Sequence, residues 1–279
     1  MATVPFGNLR DQHVLITGGS SGIGLALAQR AAAAGAKLSL VARDPAKLES
    51  AHAAIRAEHS AAAVVIACAD VAVQSEVLAA LADAERAHGP VDVLITSAGV
   101  ARPGYFEEVP IAVFERTMAV NYFGTLYPLK AVVPAMRRRG RGAVVLISSG
   151  AGLCGIFGYT PYAPTKFALR GLAESLRAEL ADTGVGVMIV YPPDTDTPQL
   201  DEENRTKPVE TKAITAGAGL WTADAVARVT LEGLASGRFS VTPGIPLTAM
   251  AWLHSIIAPV LRWQFDRTAR RARANAGRK

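Results

Sequence analysis

Cysteine is scarce, at two residues in 279. Cys68 and Cys154 lie far apart in apolar surroundings and share no metal-ligand spacing, which argues against a disulfide scaffold or zinc module and predicts buried, reduced thiols. Long hydrophobic runs are lacking as well. The opening stretch MATVPFGNLRDQHV has no apolar run of the kind a secretion signal needs, so the expected location is the cytoplasm. Aromatic residues make up only 6% and charged residues 19%, but hydrophobic residues reach 50%, enough for a sizeable core; disorder is excluded for most of the chain. No internal repeat or flexible interdomain linker interrupts it. One large α/β domain of about 250 residues plus a tail fits this length, with the boundary expected between 1–243 and 244–279.

An excess of either charge is missing from most of the chain. The formal +5 arises at the end, where Arg262, Arg267, Arg270, Arg271, Arg273, Arg278 and Lys279 face the single acid Asp266; elsewhere 22 basic residues meet 23 acidic ones. The pI of about 9.4 therefore describes a basic tail and not the body. No recognition motif accompanies that run, so nucleic acid is not an expected partner.

What is present is an alternation. Short apolar segments at 14–17, 38–42, 63–67, 93–96, 143–147, 186–191 and, more weakly, 239–242 are separated by longer helical patterns. Near-continuous apolar strands between helices indicate a parallel sheet covered on both faces. The expected fold is α/β, a Rossmann-like doubly wound parallel sheet of about seven strands with a C-terminal apolar and basic helical tail. Two regions depart from the alternation. The stretch 192–219 is polar, rich in proline and too long for a plain connection, which predicts a substrate loop or lid. After Pro243 the chain turns apolar before its basic end.

The first strand leads into Thr17-Gly18-Gly19-Ser20-Ser21-Gly22-Ile23-Gly24 and then an apolar helix. Glycines let the backbone approach a pyrophosphate, and a helix N-terminus offers free N–H groups and a favourable dipole. With the strand before it and the helix after it, this turn predicts dinucleotide binding through Gly18, Ser20, Ser21, Gly22, Ile23 and Gly24. The second strand ends Ala42-Arg43-Asp44. An NAD fold places an acid here for the ribose 2′-hydroxyl, whereas a 2′-phosphate needs a cation. Ala42 stands in the acid's place with Arg43 next, which favours NADPH/NADP+; in the alternative, Arg43 is a surface residue and Asp44 takes the ribose. Asp70, followed by Val71, ends the third strand where a carboxylate reaches an adenine amino group, or else caps the next helix.

Tyr162 and Lys166 are four residues apart, on one side of a helix. A phenol is a reluctant proton donor, and a fixed cation one turn away is expected to lower its pKa so that it can protonate an alkoxide. Ser149, ending the fifth strand, is placed to polarise a carbonyl; Ser148 is the competing choice. Pro164 requires that the helix only begin there.

The turn TGGSSGIG, the segment NYFG at 121–124, Ser149 and YAPTK at 162–166 together resemble the short-chain dehydrogenase/reductase family over about residues 10–242. The resemblance implies that Asn121 holds a water in a proton relay and that Lys166 also binds the nicotinamide ribose. It implies further that Ala98 and Gly99 line the cofactor site and that Pro192, Thr195 and Thr197 flank the nicotinamide. Thr96-Ser97-Ala98-Gly99 stands where the family often has Asn-Asn-Ala-Gly, and Pro193 replaces a usual glycine; neither change removes a reacting group. The family pattern also implies a homo-oligomer, with 111–139 and 161–183 as candidate faces.

Within the family, YPPDTDTPQLDEENRTKPVETKAI at 191–214 and KFALRGLAESL at 166–176 are similar to enzymes that reduce a long-chain 3-keto base with NADPH. The implied substrate is a small lipid-like ketone. Asp194, Asp196, Asp201, Glu202 and Glu203 are placed to attract its ammonium group, or are simply a solvated acidic loop. The segment 245–261 is slightly short for a span of about 20 residues and Pro259 interrupts it, so contact with a cytoplasmic membrane surface fits better than crossing.

Overall fold

The computed structural model describes residues 7–216 and 219–276. Its first half runs β1 (His13–Thr17), α1 (Gly22–Ala33), β2 (Lys37–Ala42), α2 (Pro45–Glu58), β3 (Val64–Cys68), α3 (Gln74–His88), β4 (Val93–Thr96) and α4 (Ile111–Met118). A π-helical turn, Ala119–Phe123, joins α4 to α5 (Gly124–Arg139), followed by β5 (Gly142–Ile147), α6 (Ala163–Glu179) and β6 (Val185–Val190). The chain continues through β7 (Thr195–Asp196), α7 (Pro198–Thr206), α8 (Val209–Thr215), β8 (Trp221–Thr222), α9 (Ala223–Ala235), β9 (Ser240–Val241) and α10 (Ile245–Ala276).

Seven of these strands form one parallel sheet in the order β3-β2-β1-β4-β5-β6-β9. The seven apolar segments expected to be strands are those strands, with ends moved by one residue at most. The near-continuous apolar runs exist because each strand is covered twice. Val14 and Ile16 face a layer that includes Leu27 of α1, Leu48 and Ile55 of α2 and Leu234 of α9. Leu15, between them, faces the other layer with Leu81 of α3, Leu129 and Met136 of α5 and Leu169 of α6. Alternate side chains point to opposite faces of a strand, so one run feeds two cores. Truncating the fully buried Leu15 or Leu94 to alanine should cost about 2–5 kcal/mol.

The strand order reverses beside β1, which pairs with β2 on one side and β4 on the other. Loops leaving the C-terminal ends there diverge to opposite faces and open a crevice. The polar stretch 192–219 is not a bare loop: α7 and α8 fold within it, and β7 pairs with β8 through Thr195–Trp221 and Asp196–Thr222. Thr197 starts α7 by accepting a hydrogen bond from the Leu200 amide at 3.3 Å, with Pro198 at the first helical position.

The C-terminal segment is one helix with a break at Leu253, and it packs along α8. Leu247, in its first turn, is buried in the same layer as α3, α5 and α6. One expectation fails. Cys68 is exposed, because β3 is an edge strand and its last residue clears the covering helices; its thiol donates to the Arg43 carbonyl at 3.2 Å. Cys154 is partly buried, and burial pushes its pKa up to about 11, so it is an inert thiol.

Candidate active site

The crevice is an open cleft of about 800 Å³ at the C-terminal ends of the strands. Gly18, Ser20, Ser21, Gly22 and Ile23 form one wall. Gly18 has φ +70°, and a Cβ there would lie 2.6 Å from the Ala98 amide nitrogen, so only glycine lets the turn approach the β4 loop. Gly24 is buried inside α1 and does not line the cleft; an added Cβ would overlap the Gly18 carbonyl oxygen, so it sets the turn and has no direct contact to offer. Ser21, the N-cap of α1, makes no side-chain cap bond, so no cap side chain claims the first-turn N–H groups beside the cleft.

Arg43, Asp44 and Lys47 line the far end. Arg43 is exposed and takes no ion pair among the described residues, whereas the Asp44 carboxylate caps α2 by accepting from the Lys47 amide at 3.1 Å. Asp70 does not line the cleft. Its carboxylate is held by Arg116 at 2.7 Å and by the Ala72 amide at 2.9 Å, while Ala69 and Val71 present themselves to the opening. These bonds hold Asp70 below its ordinary pKa against the opposing effect of burial.

Tyr162, Lys166 and Ser149 converge on the middle of the cleft with Ala98, Gly99, Pro192, Thr195 and Thr197 around them. Helix α6 begins at Ala163, so Pro164 sits in its first turn, where its missing N–H leaves nothing unpaired. The Lys166 Nζ stands 5.4 Å from the Tyr162 ring centroid and donates to the Ile147 carbonyl at 3.0 Å. Ser149 lies within hydrogen-bonding reach of the phenol, whereas the Ser148 hydroxyl is buried and donates to the Lys166 carbonyl at 3.2 Å. Asn121 is fully buried in the π-helical turn. Its carboxamide accepts from the Val100 amide at 2.9 Å and donates to the Val100 carbonyl and the Thr165 hydroxyl, each at 3.0 Å, tying the β4 loop to α6.

The electrostatics differ from the sequence expectation. Burial pushes the Tyr162 phenol above its ordinary range, and the charge of Glu203 acts in the same direction; hydrogen bonds from Ser149 and Gln199 only partly oppose this. Burial also lowers Lys166 to about 8, against a smaller upward effect of Glu203. Desolvation of the charged form is the largest effect at both groups. Tyr162 is thus held in its protonated form.

Three further residues of the cleft region escaped the sequence reading. Tyr159 and Gln199 line the opening with Glu203, and the carboxylate of Glu203 accepts from the Tyr159 hydroxyl at 2.6 Å and from the Gln199 amide at 2.8 Å. Lys207 is buried beside them and reaches Asp194 at 3.3 Å. The Gln199-to-Glu203 spacing of one helical turn was a visible signal, but only in a segment already known to be helical. Of the five loop acids, Asp194 and Glu203 turn inward, Glu202 stands exposed at the cleft's edge paired with Arg205, and Asp196 and Asp201 are exposed.

A dinucleotide-sized cleft, a glycine turn opening a helix, and a tyrosine–lysine–serine cluster define a dehydrogenase of the short-chain type. Residues 12–208 match the family model described as short chain dehydrogenase, and the chain belongs to that family. The chain is 42% identical over 239 residues to 3-dehydrosphinganine reductase of Danio rerio, covering 85% of this chain and 72% of that one. It is 41% identical over 255 residues to 3-ketodihydrosphingosine reductase of Bos taurus, covering 90% and 77%. Among solved structures it resembles a short chain dehydrogenase/reductase from Burkholderia phymatum in complex with NAD, at 26% identity and a TM-score of 0.81 over 91% of this chain and 96% of that one.

Proposed function

We propose that this enzyme reduces 3-ketodihydrosphingosine to dihydrosphingosine with NADPH. The observation that carries the reading is the convergence of Tyr162, Lys166 and Ser149 on a cleft roofed by α7, in a chain similar over most of its length to reductases named for that ketone. The glycine turn fits a pyrophosphate, because the first-turn amides of α1 border the cleft without a side-chain cap. Arg43 would hold the 2′-phosphate, since Ala42 leaves no competing acid and Asp44 is engaged as a helix cap. Val71, Ala98 and Gly99 would flank the adenosine half and central part of the cofactor, and Pro192, Thr195 and Thr197 the nicotinamide.

When bound, the reduced nicotinamide supplies hydride to the carbonyl carbon. Ser149 donates a hydrogen bond to the carbonyl oxygen and polarises it. Tyr162, kept protonated by burial, gives its proton to that oxygen as negative charge develops. Lys166 offsets the charge left on the phenolate and orients the ribose. Asn121 lies behind the cleft wall and fixes the β4 loop and α6 to each other, which holds the Tyr162 and Lys166 helix against the cofactor side.

The C-terminal helix is proposed to lie on the cytoplasmic face of a membrane. Ile245, Trp252, Val260 and Trp263 are exposed, and Arg262, Arg267, Arg270 and Arg271 follow on the same helix, a composition suited to an anionic lipid surface. No helix among the described residues is long and apolar enough to cross a membrane. The same proposal includes self-association through 111–139 and 161–183, where Ile111 of α4, Phe123 of the π-helical turn and Phe167 of α6 are exposed.

The test is NADPH oxidation by purified protein with 3-ketodihydrosphingosine, beside NADH, a steroid ketone and a β-keto acyl thioester. Preferential NADPH-dependent formation of dihydrosphingosine is expected. Activity confined to another ketone keeps the reductase and rejects the sphingoid substrate.

A further inference from the structure

Among the described residues, Glu203 is the one buried carboxylate lining the cleft that proton donation and cofactor binding leave unused. The residue is 7% exposed, yet it borders the opening. Both its oxygens are held by neutral donors, the Tyr159 hydroxyl and the Gln199 amide. Neutral hydrogen bonds lower the cost of burying a carboxylate without cancelling its charge. The cations nearby are otherwise engaged: Lys207 is turned to Asp194 at 3.3 Å, and Lys166 donates to the Ile147 carbonyl. Among the described residues no lysine or arginine forms an ion pair with Glu203. The Glu203 carboxylate therefore borders the cleft with neutral partners only within hydrogen-bonding distance.

Its position relative to the reacting atoms is set by Tyr159 and Gln199. Gln199 lines the same cleft and donates to Glu203 at 2.8 Å, and Tyr159, whose hydroxyl donates to the other carboxylate oxygen at 2.6 Å, has its ring 5.5 Å from that of Tyr162. Ser149, Tyr162 and Glu203 line one cleft, so a ketone held against Tyr162 and Ser149 lies in the cavity that Glu203 borders. The charge of Glu203 also reaches both Tyr162 and Lys166 through space, as expected of a group at the same site.

The other acids of the segment do not share these properties. Asp196, Asp201 and Glu202 are solvent-exposed, Glu202 pairs with Arg205, and Asp194 has Lys207. We propose that Glu203 is the specificity-determining residue that binds a primary ammonium group on the carbon next to the reacting ketone, with Tyr159 and Gln199 holding its carboxylate in place. This rests on the sphingoid reading above and assigns recognition of the amino group to one side chain. The cation completes the buried site by supplying a charged hydrogen-bonding partner, and an N-acylated or nitrogen-free ketone leaves the carboxylate unpaired.

The experiment compares full-length wild type and Glu203→Gln on two ketones: 3-ketodihydrosphingosine and the same long-chain hydroxy ketone without the nitrogen. The ratio of kcat/KM for the amino ketone over its nitrogen-free counterpart should fall on the order of tenfold to a hundredfold in the variant. A second readout is binding: dihydrosphingosine should raise the Tm of wild type and do so much less for Glu203→Gln. An unchanged ratio overturns the proposal while leaving the sphingoid reading in place, because a merely structural role for Glu203 affects both ketones alike. Wild type that ignores the amino ketone and reduces only other ketones sinks the sphingoid reading and this proposal together. If Glu203→Gln does not fold, inhibition of the native enzyme decides. Dihydrosphingosine should compete on the order of tenfold better than its N-acetyl derivative, and equal competition rejects the assignment.

Discussion

Arg273, close to the end of α10, donates to the Glu210 carboxylate of α8 at 2.5 Å, and so links the last helix of the chain to the segment that covers the cleft. Glu210 is fully buried and also accepts from the Tyr105 hydroxyl at 3.1 Å, while the Arg273 guanidinium lies over the Phe157 ring. The basic tail is therefore part of the lid's support. Burial alone would raise the pKa of Glu210, but hydrogen bonds from Arg273, its own backbone and Tyr105 outweigh it and hold the group below its usual value.

Arg273→Ala should lower Tm and raise KM for the ketone more than it lowers kcat, because it loosens α8 without touching the reacting groups. The stabilisation has a defined pH sense. A depressed carboxyl pKa contributes stability above the ordinary value of 4.5, and that contribution is lost as pH falls through the folded-state value. Wild type should thus lose Tm below that window more steeply than Arg273→Ala; parallel acid profiles would mean the pair does not stabilise the fold.

Tyr162→Phe should retain NADPH binding, followed by cofactor fluorescence, and lose reduction by roughly 10²- to 10⁴-fold. Phenylalanine preserves the ring and removes only the proton donor. Turnover near the wild-type rate would show that another group protonates the alkoxide.

The alkaline limb of reduction should report Lys166. Its pKa is lowered to about 8 by burial, so above that pH the ammonium is lost and the phenolate and ribose lose their cation. Tyr162 stays protonated across the same range because burial moves it upward. kcat/KM should fall as pH rises through about 8, and Lys166→Arg, if active, should move the limb upward, since guanidinium does not titrate there. A profile flat up to the ordinary lysine value would refute the assignment.

Arg43→Ala should weaken NADPH relative to NADH by about tenfold. The side chain is exposed, so the effect should shrink as salt screens it. An unchanged NADPH/NADH ratio at low ionic strength rejects the 2′-phosphate role.

The fold and the centre of the site were legible in advance because they depend on local chemistry. The seven strands could be read from their apolar runs, since a doubly covered parallel strand has to be hydrophobic on both faces. The start of α6 followed from Pro164, and the approach of the first turn to the β4 loop from Gly18. Ser148 and Ser149 follow β5 with their hydroxyls on different sides, and only the sheet's setting shows which side carries the phenol.

The linear sequence determined the fold class, the dinucleotide turn and the tyrosine–lysine pair, because each is written in residues close enough to be covered by one periodicity or one turn. Tertiary structure decided the rest. Five loop acids are equivalent on paper, and only the packing of α7 against Tyr159 buries Glu203 while leaving Asp196, Asp201 and Glu202 in water. The apolar surroundings of Cys68 in the sequence predict a core thiol, and the edge position of β3 leaves it exposed. Arg273 and Glu210 are 63 residues apart in the chain, and nothing in either neighbourhood announces the other. Burial, which moves Tyr162 up and Lys166 down, and the hydrogen bonds that override it at Glu210 are properties of the assembled structure and exist only once distant segments have met.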